Sequence, residues 1–256
     1  MEGHAHDTAE GPLGNLGVID LHCHILPDLD DGSLSLQDSL AMARQAENDG
    51  IAVVCATPHI RHDHNVRIEE IASRVRSVQD HLATHGVDVR IVPGGEVAET
   101  EADRLSDAEL RLVALGGAGG WVLLEPAPGP LGDGLQALVG RLAQRGLSTV
   151  VAHPERHAGI DFSERLQGLA RSGCLIQWTA EFVAEAAPGD LVLALAREGL
   201  VHLLGSDAHS SYGGRPVRLA GGFARLDRIC TPERIAWMVD QAPQAILCGD
   251  PVTPPP

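Results

Sequence analysis

The sequence predicts an α/β protein, a closed or distorted β/α barrel. Two observations carry that reading. Short apolar runs alternate with amphipathic, helix-periodic segments seven times, the pattern of parallel strands joined by right-handed crossovers. The histidines and acids also fall, run after run, just past the C-terminal end of such a strand, the edge where β/α barrels place their sites. No G-x-G-x-x-G follows the first strand, which disfavours a dinucleotide-binding sheet.

The first strand, Val18 to Leu21, delivers His22 and His24. Residues i and i+2 of an extended chain share a face, so both imidazoles point one way and can chelate one divalent ion. Asp28, Asp30 and Asp31 follow in a turn rich in Pro and Gly. Ser35-Leu-Gln-Asp38 resembles a capping box and opens a helix to about Asn48, stopped by Gly50. The strand Ile51–Ala56 runs into Thr57-Pro58-His59. A helix from about Val66 to Thr84 puts Ile68, Ile71, Val75, Val78 and Leu82 on one face and ends near Gly86. The strand Val87–Val92 leads to Pro93-Gly94-Gly95-Glu96, and a short helical piece near Leu105–Leu112 precedes the strand Trp121–Glu125.

Further along, a helix from about Gly134 to Gln144 leads to the strand Ser148–Ala152 and His153-Pro154-Glu155-Arg156. A helix over about Asp161–Arg171 precedes the strand Cys174–Trp178, and one over about Gly189–Glu198 precedes Val201–Leu204 and Ser206-Asp207-Ala208-His209. Short helices near Pro232–Val239 and Pro243–Leu247 finish the chain. The domain is expected over residues 17–250, with a flexible tail at 1–16 and a Pro-rich tail at 251–256. His4 and His6 lie in the first tail and read as incidental. Trp121, Trp178 and Trp237 read as core.

Composition narrows the chemistry. The net charge of −16 opposes a nucleic-acid role, which needs a basic stripe. Bound divalent cations would offset part of it. The chain contains no lysine, so all 19 basic residues are arginine. That excludes Schiff-base and pyridoxal enzymes, a Walker A loop, and metal hydrolases bridged by a carboxylated lysine. Five cysteines without a C-x-x-C pair argue against a disulfide framework and for a reducing cytoplasm. No apolar run approaches the ~18–20 residues of a membrane helix, and the polar, acidic start is not a secretory signal.

The candidate ligands are His22 and His24 after the first strand, then His59, Glu96, Glu125 and His153 after the next four, and Asp207 and His209 after the seventh. Any one of them alone reads as a capping or packing residue; eight at one edge do not. Imidazoles and carboxylates suit zinc, manganese or iron. With Asp31 the set exceeds the needs of one tetrahedral ion, so two or three ions bridged by a carboxylate are expected. A rival chemistry is present in Cys55-Ala-Thr-Pro-His-Ile-Arg61, which fits the C-x5-R spacing of cysteine phosphatases. Its cysteine ends a buried apolar run, its loop has no glycine, and Pro58 lacks a donor, so Cys55 reads as core packing.

His22-Cys-His24, Asp30-Asp31-Gly32, Thr57-Pro58-His59, Gly95-Glu96, Leu124-Glu125, Ala152-His153-Pro154-Glu155-Arg156, Ser206-Asp207-Ala208-His209 and Ala242-Pro243-Gln244-Ala245 together resemble the PHP (polymerase and histidinol phosphatase) superfamily. Within it the chain is most similar to the bacterial CpsB/YwqE-type protein-tyrosine phosphatases, from about residue 18 to 250. The resemblance implies a distorted seven-stranded β/α barrel holding three divalent ions (Mn, Zn or Fe). His22, His24, Glu96 and Asp207 would hold the first, Glu96, Glu125 and His153 the second, and Asp31, His59 and His209 the third. Glu96 would bridge, and Asp30 competes with Asp31 for its place. Arg156 and Arg215 would bind phosphate, bidentately as guanidinium groups do.

Two departures stand out: the Ser210-Ser-Tyr-Gly-Gly stretch is a residue longer than the pattern, which bears on where Arg215 falls, and an Ala-Pro-Gly-Pro loop after Glu125 bears on substrate fit. The resemblance implies hydrolysis of a phosphomonoester by metal-activated hydroxide, most simply on the phosphotyrosine of a protein. The expected partner is an autophosphorylating tyrosine kinase of exopolysaccharide synthesis. The alternative is histidinol phosphate or another small phosphoester of the same superfamily.

Overall fold

The structure is a computed structural model that describes residues 17–253. The two expected tails, with His4 and His6, lie largely outside them. The first half alternates β1 (Val18–Cys23), α1 (Leu36–Asn48), β2 (Ile51–Ala56), β3 (His59–Ile60), α2 (Ile71–Thr84), β4 (Arg90–Pro93), β5 (Glu96–Ala98), α3 (Glu99–Ala102) and α4 (Asp107–Leu112). The second half runs β6 (Trp121–Glu125), α5 (Asp133–Gln144), β7 (Ser148–Ala152), α6 (Phe162–Arg171), β8 (Leu175–Thr179), α7 (Ala180–Glu185), α8 (Leu191–Arg197), β9 (Leu203–Gly205), α9 (Ala220–Leu226), α10 (Pro232–Ala236) and α11 (Ala242–Cys248).

Every strand pair is parallel, in sheets ordered β1-β2-β4 and β3-β5-β6-β7-β8-β9. Among the described residues the strands therefore number nine, in sheets of three and six, rather than the seven expected. The extra two arise by interruption. Pro58 has no N–H for a ladder, and the Thr57 N–H is taken by the Cys23 carbonyl at 2.9 Å, so β2 stops and β3 resumes in the other sheet. Gly94 and Gly95 lie between β4 and β5, and the Glu96 N–H donates to the Pro58 carbonyl at 3.0 Å. At the other edges, β1 and the chain after β9 are linked: His24 N–H donates to the Ala208 carbonyl and Asp207 N–H to the His22 carbonyl, both at 2.8 Å.

Local rules explain most boundaries. Ser35 caps α1 by accepting from the Asp38 N–H at 3.2 Å, but Asp38 does not close a capping box; its carboxylate accepts from Leu34 N–H at 3.0 Å. The expected helix from Val66 begins in earnest only at Ile71, after a 3₁₀ turn over Ile68–Glu70. Three short helices, α3, α7 and α9, have no counterpart among the expected elements. α10 and α11 join through a π-turn at Trp237–Gln241, which accommodates Pro243 in the first turn of α11.

The strands carry near-continuous apolar runs because both of their faces are buried. One apolar cluster runs through the molecule and includes all three tryptophans. Among the described residues no helix is long and apolar enough to cross a membrane.

Candidate metal centre

The strand ends do bring the sequence-predicted ligands together. His22 and His24 leave β1 on one face, with their Nε2 atoms 3.3 Å apart. Glu96, the first residue of β5, is fully buried and reaches both histidines: its Oε2 lies 3.4 Å from His22 Nε2, 3.3 Å from His24 Nε2 and 3.0 Å from His59 Nδ1. Its Oε1 lies 2.7 Å from His153 Nε2. Asp207 Oδ1 stands 3.4 Å from His22 Nε2 and 3.6 Å from His24 Nε2. Toward the surface, Asp31 Oδ1 lies 3.4 Å from His59 Nε2 and 3.6 Å from His209 Nε2. Glu125 Oε2, at the end of β6, is 3.6 Å from His59 Nδ1.

All nine residues thus fall into overlapping groups whose ligand atoms lie within 4.8 Å of one another. The groups are His24, Asp31, His59 and His209; His22, His24 and Glu96; His22, His153 and Asp207; and His59, Glu96 and Glu125. By proximity Glu125 falls with His59 and Glu96, and His153 falls with His22 and Asp207 while also reaching Glu96.

These donors fit a cation. Glu96 Oε2, Asp207 Oδ1, His59 Nδ1 and His153 Nδ1 are enclosed and have no hydrogen-bond partner. Two buried carboxylate oxygens facing imidazole nitrogens with no protein donor between them are costly unless a positive ion satisfies them. The backbone is bent to make this arrangement: His153 (φ 31°) and Asp207 (φ 50°) are both left-handed, a conformation that side-chain-bearing residues seldom adopt and that gathers at functional sites.

The acids and imidazoles also couple strongly to one another, and in the absence of an ion a proton on an imidazole offsets the carboxylates. Burial alone would raise the carboxyl of Glu96, but His22 and His153 outweigh it and hold Glu96 well below the usual carboxylate range. Asp207 is likewise lowered against its burial, by His22, His153 and His24. Burial opposes the charged form of His24, yet its hydrogen bonds and charge interactions with Asp30 and Glu96 lift it to about 10. His209 goes the other way, its imidazole pushed down by burial and by His24, which keeps it neutral with a lone pair to offer.

Asp30 and Asp31 have separate tasks. Asp30 turns inward and accepts from His24 Nδ1 at 2.8 Å and from the His59 N–H at 2.8 Å, while Asp31 faces His59 and His209. Gln177 on β8 is a site residue that the sequence reading does not pick out. Its Oε1 meets His22 Nδ1 at 2.9 Å and so fixes which nitrogen faces the site. The available signal is a lone amide in the apolar run Leu-Ile-Gln-Trp-Thr, where a polar side chain must have a partner.

Both expected phosphate-binding arginines are at the site. Arg156 donates through Nη2 to Asp207 Oδ2, and Arg215 approaches the same oxygen at 2.9 Å while its Nε donates to the Asp207 carbonyl at 2.7 Å. Arg215 is in place despite the longer preceding loop. That loop is held by Asp38, which accepts from Ser211 N–H at 2.8 Å and from the Ser210 hydroxyl at 3.0 Å. The cysteine chemistry has no support. Cys55 is fully buried, burial pushes its thiol up to about 12, and Arg61 is engaged by Asp63 at 2.6 Å and Glu125 at 3.4 Å.

A family model described as capsular polysaccharide synthesis, CpsB/CapC, matches residues 18–248. The chain belongs to the CpsB/CapC family. Among its members the tyrosine-protein phosphatase YwqE of Bacillus subtilis is 33% identical over 204 residues, 75% of this chain and 78% of the relative. The tyrosine-protein phosphatase CpsB of Streptococcus agalactiae is 25% identical over 240 residues, 90% and 98% of the two chains. A crystal structure of YwqE from Bacillus subtilis and CpsB from Streptococcus pneumoniae, described as metal-dependent tyrosine phosphatases, superposes with a TM-score of 0.81 at 27% identity, covering 93% of this chain and 98% of that one. A β-aspartyl dipeptidase from Fervidobacterium islandicum (13% identity, TM-score 0.53, 96% and 79% covered) shares the fold alone.

Proposed function

We propose that this CpsB/CapC-family chain is a metal-dependent protein-tyrosine phosphatase. The observation that carries the reading is the pair of orphaned buried oxygens, Glu96 Oε2 and Asp207 Oδ1, facing imidazoles beside two arginines. Three divalent ions (Mn, Zn or Fe) would be held among His22, His24, Glu96 and Asp207, among Glu96, Glu125 and His153, and among Asp31, His59 and His209. The mixed groups around His59 and His153 support shared ligands between them. When bound, such ions supply Lewis-acid chemistry and lower the pKa of water to roughly 7.

The chain's own residues do the rest. Arg156 and Arg215, already poised on Asp207, take the non-bridging oxygens of the phosphoryl group, and Asp207 aims them. Asp30 and Gln177 hold His24 and His22 in the rotation the site needs. A phenolate leaves readily, its parent pKa being about 10, so no strong proton donor is needed. The links from residues 22–24 to 207–208 support a closed, distorted barrel, folded as one domain over residues 17–250.

The capsular-polysaccharide description of the family supports a partner of matching role, an autophosphorylating tyrosine kinase of exopolysaccharide synthesis acting as the phosphotyrosine protein. Free thiols at all five cysteines support a reducing, cytoplasmic setting. The test is metal analysis of the purified chain alongside turnover of a phosphotyrosine peptide and of histidinol phosphate. Preference for the peptide, lost on chelation and restored by manganese, is expected. Full activity after strict chelation, or preference for histidinol phosphate, overturns the proposal.

A further inference from the structure

Beside Arg156 and Arg215 opens a cleft of about 350 Å³ whose other walls are Glu155, Thr179, Glu181, Phe182 and Glu185. A second cavity of about 240 Å³ shares Glu155 and Phe182 and extends the cleft to Trp178 and Leu191. Two polar atoms here want partners. Thr179 is 3% exposed and its Oγ1 has none. Glu155 accepts from the Thr179 N–H through Oε1 at 3.1 Å, while its Oε2 is enclosed and unpaired. An enclosed carboxylate oxygen without a donor is expensive, and Glu181 and Glu185 add negative charge along the same wall. A cation in the cleft would meet the charge of these acids. Beyond the acids the wall turns apolar: Phe182 is 45% and Leu191 50% exposed, and the Phe182 ring stacks on Trp178 at 6.1 Å. Surface aromatics of this kind seat aliphatic stems and cationic heads alike.

The cavity lined by Arg61, Asp63, Glu99 and Glu125 offers no such vacancy among the described residues. There Arg61 is paired with Asp63 and Glu125, and Glu99 accepts from the Ala127 N–H at 2.9 Å. We infer that the cleft from Arg156 and Arg215 across Thr179 to Leu191 receives the polypeptide beside the phosphotyrosine, and that it selects a basic residue followed by an apolar one. The inference rests on the phosphatase reading above and adds sequence preference to it. The phosphate on the two arginines fixes the phosphotyrosine. The neighbouring lysine or arginine then meets the α7 acids Glu181 and Glu185, and the next side chain lies on Phe182 and Leu191.

The experiment compares kcat/KM of the metal-loaded chain on two phosphotyrosine peptides, one flanked by Arg and Leu and the other by two Glu, with free phosphotyrosine as reference. About tenfold preference for the basic peptide is expected, chiefly through KM. The double variant Glu181→Arg, Glu185→Arg reverses the preference. Glu185→Gln, a milder change at an exposed position, weakens it if the double variant folds poorly. Phe182→Ala lowers the discrimination between Leu and Ser at the second position. Turnover of free phosphotyrosine with equal kcat/KM for the two peptides, or a preference untouched by the charge reversal, overturns the cleft assignment alone. Failure to hydrolyse even free phosphotyrosine overturns the phosphatase reading and the cleft with it.

Discussion

Asp30 holds His24 by Nδ1 at 2.8 Å, which commits His24 Nε2 to the centre. The same carboxylate accepts from the backbone N–H of His59 at 2.8 Å and of Gly32 at 3.0 Å, so one acid orients one imidazole and anchors the backbone that carries another. Asp30→Ala is expected to lower manganese affinity roughly 10–100-fold, as loss of a group that orients a ligand commonly does. Calorimetric titration of the metal-free protein measures it, and an unchanged affinity would show that His24 is oriented by other means.

Gln177 does for His22 what Asp30 does for His24. Gln177→Leu keeps the volume of a buried side chain but leaves the Nδ1–H without an acceptor, and the ring is free to turn. Metal affinity falls by about tenfold or more, while Gln177→Glu restores an acceptor and recovers most of it. Equal affinity in the Leu variant and the parent would remove Gln177 from the site.

Replacing Arg156 or Arg215 by Ala removes a charge-assisted grip on the phosphoryl oxygens. Each change lowers kcat/KM on a phosphotyrosine peptide about 10–100-fold. The Lys variants recover only part, because an ammonium keeps the charge and loses the planar fork. Steady-state kinetics decide; both Ala variants staying within about twofold of the parent would exclude the two arginines from phosphate binding.

Cys55→Ala keeps turnover and costs about 1 kcal/mol of stability, the loss from trimming one buried atom. A thiol pushed up to about 12 by burial is not a nucleophile at neutral pH. Loss of activity in a variant that still melts cooperatively would reopen the cysteine mechanism.

Asp38 ties the loop carrying Arg215 to the start of α1. Burial works against its charge, but donors from Ser211, Leu34 and Ser210 prevail, and its carboxyl sits below the ordinary range. A depressed folded-state pKa stabilises the protein above the unfolded pKa, and that contribution is lost as pH falls through the folded one. Asp38→Ala therefore lowers Tm at neutral pH and flattens its fall toward acid. A Tm that drops by the same amount at neutral pH and well below the carboxylate range would separate the loop from this titration.

Much of the frame was legible because the strands speak in runs. Trp121–Glu125 and Ser148–Ala152 are apolar stretches bounded by breakers, and the structure begins and ends them as the sequence does. β3 and β5 were not, because strands of two and three residues after Pro58 and Gly95 carry no period to read. α7 follows β8 with no breaker between them, and α9 opens on Ala-Gly-Gly, a poor advertisement for a helix. The ligands stood out because each follows a strand. Their mutual distances were not legible, since the direction in which His153 turns depends on strand twist and on a left-handed φ that composition does not encode.

That φ carries a lesson for anyone improving the protein. Backbone strain at His153 and Asp207 amounts to about 1–3 kcal/mol each, and glycine at either position would relieve it. A selection scored on heat resistance alone would drift toward glycine at those two places, and its hardiest survivors would be inert.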